Sequence, residues 1–183
     1  GISTNTVTVT TWMKRAETFT TSDLGWPAWL GAGGGFHIDG TSGRPYGELR
    51  YHWDGGQWGW GSGLQVPADI WTFCALVIEP TRATVYMGEG DTLRKSTVNA
   101  THTAHLLNQA HAFGGNQAGN SGRNFIGQLD ESAVYDRALS EAELFTLFAT
   151  GTGIPLTLDI APGGIMDDTK PTGTRIPGFN YGT

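Results

Sequence analysis

In "TNTVTVTTWMKR", Thr4 to Arg15, Val7, Val9, Thr11 and Met13 alternate with Thr6, Thr8, Thr10 and Trp12. This two-residue period predicts a half-buried strand at the start of the chain. Ala16 to Gly35 holds Trp26, Pro27 and Trp29, ends in "GAGGG", and reads as a loop leading into the short strand "FHIDG". "GELRYHW", "DIWTFCALVIEP" and "RATVYMGE" follow as strands, and the tight turn "EPTR" makes the last two a hairpin. Asp91 to Ala112 is polar with weak periodicity, which predicts a long connection with one edge strand around "AHLL". "FIGQLDESAVYD" then reads as a strand with Leu129, Glu131, Ala133 and Tyr135 on one face.

One segment changes period. In "LSEAELFTLFATG", Ser140 and Glu143 form a capping box, Leu139 can staple onto Leu144, and Gly151 stands where a left-handed terminator belongs. Leu144, Leu147 and Phe148 make a single apolar stripe, so a short helix is expected on the rim of the strand assembly. After Gly153 the chain turns rich in Pro and Gly, with one strand-like piece from Leu156 to Ile160. Residues 1–153 are therefore expected to form one all-β domain, and 154–183 an extended tail or the truncated start of another module.

Composition narrows the function. The 183 residues include 28 Gly and 7 Trp, and only 15% are charged, which fits many short strands and tight turns. The net charge of −6, without a Lys/Arg run, argues against nucleic acid and anionic membranes as partners. No apolar stretch has the length of a membrane span, so no membrane insertion is expected. The single cysteine, Cys74, lies in an apolar run as a small core side chain. A Trp-rich, Lys-poor acidic β-domain suits a secreted or cell-surface bacterial protein. Asn99-Ala100-Thr101 matches a glycosylation sequon, a short pattern of little weight in a Thr-rich chain.

"FIGQLDESAVYDRALSEAEL" carries Gly127, Leu129, Asp130, Glu131, Tyr135, Arg137, Ala138, Leu139 and Ser140 in a "G-x-(I/L)-D-E … Y-x-R-A-L-S" pattern. This resembles the C-terminal signature of laminin-G-like, concanavalin A-like modules. "TVTVTTWMKR" and "WTFCALVIEPTRATVYMGEG" are similar to that family's first recognisable strand and central hairpin. The resemblance spans about Thr4 to Gly151 and implies an antiparallel two-sheet jelly-roll sandwich with one short helix near the C-terminal end of the domain. Its members serve as carbohydrate-binding modules, adhesive domains and receptor parts. The family's "F-D-G" turn, which often contributes to a calcium site, would precede the first strand seen here.

A β-glucanase of this superfamily carries "E-x-D-x-x-E", two carboxylates flanking the scissile bond; Glu89, Asp91 and Arg94 come nearest, and Arg94 is basic. Neither a nucleophile elbow nor a zinc-protease helix motif occurs, so no enzyme is expected. His102 and His105, an i, i+3 pair in a polar connection, are expected to be solvent-facing rather than zinc ligands. Asp130 with Asn120 from the "GGNQAGNSGRN" loop offers oxygen donors for calcium; alternatively, Asp130 and Glu131 tie down the neighbouring loop and helix.

The aromatic stretch "YHWDGGQWGWGSG" offers a sugar site. A two-residue turn at Gly55-Gly56 would set Trp53 opposite Trp58 and Tyr51 opposite Trp60, all on one face. Tyr51 and Trp60 are then expected in the core, while Trp53 and Trp58 near the turn keep an accessible edge. Asp54 and Gln57, and Asn116 and Gln117 from another loop, could bind sugar hydroxyls beside them. Trp26 and Trp29 form a second candidate pair.

The sequence thus reads as a non-catalytic extracellular recognition or adhesion module for a glycan or surface polysaccharide. It requires no cofactor, and calcium is a possible ion. The alternative is a subunit of a self-assembling filament or surface layer, in which the opening strand and the tail pair with other copies of the chain.

Overall fold

The computed structural model describes residues 2–17, 25–30, 34–39, 46–53, 60–107, 112–115 and 124–152. Among them, strands β1 (Ile2–Thr4), β2 (Val7–Arg15), β3 (Gly25–Leu30), β4 (Gly34–Asp39), β5 (Glu48–His52), β6 (Thr72–Glu79), β7 (Arg82–Glu89), β8 (Thr92–Asn99), β9 (His105–Leu107), β10 (Ala112–Phe113) and β11 (Gly127–Tyr135) precede one helix, α1 (Glu141–Thr152). They form a five-stranded sheet β11-β2-β6-β7-β8, a four-stranded sheet β10-β3-β4-β5 and the pair β1-β9. This is the all-β antiparallel jelly-roll sandwich that the sequence resembled.

The alternation in β2 sets the inside. Val7, Val9 and Met13 meet Leu76, Ile78 and Val85 from their own sheet and Phe36, Ile38, Leu49 and Tyr51 from the other. β6 is buried on both faces: Cys74, Leu76 and Ile78 point inward, while Phe73, Ala75 and Val77 pack outward against Leu139, Leu144 and Phe148. Its near-continuous apolar run reflects this double burial. Burial also pushes the Cys74 thiol pKa up, so it stays protonated.

Helix α1 corrects the expected rim position, because it lies across the outer face of the five-stranded sheet. Thr8 anchors its entry, donating to the Arg137 carbonyl at 2.8 Å and accepting from the Leu139 amide at 2.9 Å. Gly151 is helical rather than left-handed. Its lack of a side chain serves close packing, since a Cβ there would stand 2.5 Å from Trp12 Nε1.

The capping box forms as expected: the Ser140 amide donates to Glu143 Oε2 at 2.8 Å, and the Glu143 amide donates to Ser140 Oγ at 3.3 Å. Arg137 also donates to Glu143, at 2.6 Å, and these bonds hold the Glu143 pKa at about 2, below the ordinary 4.5. A depressed carboxylate pKa stabilises the fold above the unfolded value and loses that contribution as pH falls through the folded value. Helical circular dichroism should therefore decline between pH 4.5 and about 2, and Ser140→Ala should flatten that decline. An identical acid profile in the variant would disprove the link.

Three local expectations are corrected. Thr92 to Asn99 is a full edge strand paired with β7 from Glu89↔Thr92 to Arg82↔Asn99. Its Arg94 and Lys95 hide the strand signal and blunt an exposed edge. Trp26 and Trp29 sit in a strand, because Pro27 is accommodated where the β3–β4 register shifts between Gly25 and Ala28. β11 carries a bulge between Asp130 and Ala133, with Glu131 at φ 47°. The extra residue inverts the alternation, so Leu129 packs into the inner core and Tyr135 against the helix side. Glu48 bridges to Gln65; the expected turn at Gly55-Gly56 lies outside the described residues.

Candidate functional site

Trp53 is fully buried, which corrects the expectation of an accessible edge. Its Nε1 donates to the Thr103 carbonyl at 2.9 Å, its ring lies 5.0 Å from that of His105, and a Cβ on Gly34 would come within 2.7 Å of it. Tyr51 is buried, and Trp60 packs partly buried against the core, 5.4 Å from the Tyr51 ring. Asp54, Gln57, Trp58, Asn116, Gln117, Asn120 and the tail 154–183 lie outside the described residues.

Trp26 and Trp29, 4.8 Å apart and edge to face, turn to the outer side of the four-stranded sheet with His37 and His52. At 0% and 8% exposure they present no open face for stacking, which corrects their candidacy as an accessible pair. The same face carries an ionic cluster that the sequence reading missed. Asp39 and Glu48 are cross-strand partners, and Arg50, opposite His37, binds both: Nε meets Asp39 Oδ2 at 3.1 Å and the guanidinium pairs with Glu48. Arg50 also donates to the Trp60 carbonyl at 2.8 Å, and Glu48 accepts from the Gly63 amide at 2.8 Å.

The histidine expectation is corrected as well. His102 is buried, with Nδ1 2.6 Å from the Glu79 carbonyl and Nε2 3.1 Å from the Tyr51 hydroxyl, so it ties the connector to the β6–β7 turn and the core. Asp130 is exposed on β11, and its Oδ1 accepts from the Glu131 amide at 2.8 Å. Among the described residues no cluster of three His, Cys, Asp or Glu is arranged to hold a metal.

Among the described residues the most accessible indole is that of Trp71, 43% exposed, beside Ile70 at 58%. It lies one step beyond the row Phe73, Ala75 and Val77 that α1 covers, and Thr152 of the helix lines the same hollows. The segment ahead of it is fixed by Asp69 at φ 54°, whose amide donates to the Arg15 carbonyl at 2.8 Å. Trp12, held between Phe73 at 5.6 Å and Phe148 at 6.0 Å, stands beside it.

Two hollows flank Trp71 and share Trp12 and Thr152 as walls. One, of about 420 Å³, is lined further by Asp130, Glu131 and Gly151. The other, of about 370 Å³, adds Gln65, Pro67, Thr72 and Glu89 among its walls. An open indole with carboxylate, amide and hydroxyl groups beside it is what ring stacking and hydroxyl binding require. A third hollow of about 420 Å³, beside the start of α1, is walled by Glu79, Arg82, Lys95 and Glu141, which pair with one another, and it has no open aromatic face. The sequence signal for Trp71 was its place in the outer-row alternation of β6, one residue before the strand begins at Thr72.

Solved structures share this architecture at low identity. A "putative carbohydrate binding protein" from Bacteroides ovatus is 16% identical with a TM-score of 0.64 over 79% of this chain, which spans 41% of that protein. The heptameric SAP-like pentraxin of Limulus polyphemus is 14% identical, with a TM-score of 0.52 over 84% of this chain and 74% of its own. Domain 4 of AbnA, a GH43 extracellular arabinanase from Geobacillus stearothermophilus solved with arabinotriose, is 18% identical over 80% of this chain and 68% of its own, at a TM-score of 0.49. No curated protein matches the sequence. The Laminin_G_3 family model matches residues 1–145, and the chain belongs to the concanavalin A-like lectin/glucanases superfamily.

Proposed function

We propose that the domain is a non-catalytic carbohydrate-recognition module of a secreted or cell-surface protein, whose glycan or surface polysaccharide stacks on Trp71. One observation carries the reading: an indole 43% open to solvent divides two hollows of sugar-sized volume that are lined with hydrogen-bonding side chains. Membership of a superfamily of lectins and glucanases frames the ligand class. The open ring then supplies a place for the ligand, which fold alone does not.

The carboxylates favour binding over hydrolysis. Asp130 and Glu131 are adjacent on one wall, so they do not straddle a glycosidic bond. Glu89 is tied to Arg94 at 2.7 Å, and Asp39 and Glu48 are held by Arg50. Stacking requires no cofactor; repeating the binding assay with calcium and with a chelator tests the optional calcium at Asp130.

Trp71→Ala should weaken glycan binding about tenfold, the equivalent of about 1.4 kcal/mol, while stability stays within about 0.5 kcal/mol. A glycan array followed by calorimetry reads both quantities. Wild-type affinity in a folded Trp71→Ala protein would remove the site.

The self-assembly alternative loses its strand donor, because β2 is hydrogen-bonded to β11 on one edge and β6 on the other. Its remaining route is the tail, tested by sedimentation of the chain with and without residues 154–183.

A further inference from the structure

We propose that the Trp71 cleft selects its glycan by charge, accepting neutral chains, preferring chains that carry a protonated amine and rejecting uronates and sulfate esters. The inference rests on the carbohydrate reading above and deepens it. Its basis is the bulge in β11. In a regular strand Asp130 and Glu131 would point to opposite faces. With Glu131 at φ 47°, both are exposed and both line the same hollow beside Trp71. A non-glycine residue held in that backbone region is disfavoured, and such strain is found where a side chain must be re-aimed.

Among the described residues neither carboxylate has a cationic partner, and no Lys, Arg or His lines either hollow. The one further acid there, Glu89, is paired with Arg94. A sugar stacked on Trp71 therefore meets uncompensated negative charge. An anionic substituent is repelled; an ammonium group is attracted both by the carboxylates and by the face of the indole.

The test compares the full 183-residue chain against equal-length oligosaccharides of N-acetylglucosamine, glucosamine and galacturonic acid by calorimetry in low salt. Glucosamine chains should bind about fivefold more tightly than the acetylated series, and galacturonate chains about tenfold more weakly. Both differences should shrink in high salt, where exposed charges are screened. Asp130→Asn with Glu131→Gln should erase the ranking among the three series; the Asn retains the Oδ1 acceptor for the Glu131 amide. Asp136→Asn, beyond the other end of β11, should leave the ranking intact.

Equal or tighter binding of galacturonate, or a ranking that persists in the double variant, overturns the charge selection. If Trp71→Ala weakens binding of all three series but wild type shows no ranking, this inference falls and the site stands. If no series binds, or Trp71→Ala changes nothing, both fall together.

Discussion

Replacing Arg50 by Met is expected to destabilise the domain by about 3–5 kcal/mol, a drop in melting temperature on the order of 10 °C. The guanidinium lies between Asp39 and Glu48, and all three side chains are nearly inaccessible, at 6%, 0% and 4%. Met fills much of the same volume, so the loss comes from leaving two carboxylates buried without their cation rather than from a cavity. Adding Asp39→Asn and Glu48→Gln to Arg50→Met should recover part of the deficit, because the orphaned groups are then neutral. Denaturant unfolding of the single and triple variants measures both effects. A loss below about 1 kcal/mol in Arg50→Met would show that the cluster is not energetically coupled as its geometry implies.

Phe148→Ala should cost about 3–5 kcal/mol, as expected when a buried aromatic side chain is deleted from a packed interface. Phe148 is 2% exposed and contacts Trp12, Phe73 and Phe145, with ring centroids 6.0 Å away in each case. Its ring fits because β7 offers Gly88 beneath it: a Cβ there would stand 2.5 Å from Phe148 Cε2. Gly88→Ala alone should therefore destabilise by about 1–3 kcal/mol. In the Phe148→Ala background, where that space is vacated, the same change should be nearly neutral, and this non-additivity distinguishes steric fit from a general strand effect. Additive losses would disprove the fit. Phe148 also backs Trp12, so its loss should also weaken the glycan binding proposed for Trp71.

Much of the fold was legible because it rested on local periodicity. Val7, Val9 and Met13 announced the inner face of β2, "EPTR" the β6–β7 turn, and Ser140 with Glu143 the start of α1. β8 was missed because an edge strand is under no demand to alternate, and "TLRKSTVN" is mostly solvent-facing. The inverted alternation in β11 was missed because a bulge at Glu131 inserts one residue, and the alternating pattern alone carries no mark of it. The candidate site was the least legible part. Trp26, Trp29 and Trp53 have the chemistry of a stacking platform, but the sandwich encloses them, while Trp71 passed as a strand opener.

The sequence by itself determined an antiparallel β-sandwich of the concanavalin A-like kind, the capped helix after its last strand, and an aromatic, acidic character suited to glycans. The strands and the helix cap follow from spacing, which acts over a few residues, the acidic, aromatic character from composition, and the concanavalin A-like kind from the resemblance carried by "FIGQLDESAVYDRALSEAEL". Only the tertiary structure decided which tryptophan meets solvent and which charges find partners. Exposure depends on what a distant element covers: α1 packs on Phe73, Ala75 and Val77, whereas Trp71 is 43% exposed. Likewise Arg50 neutralises Asp39 and Glu48 across paired strands, while a bulge sets Asp130 and Glu131 beside the open ring with no cationic partner among the described residues.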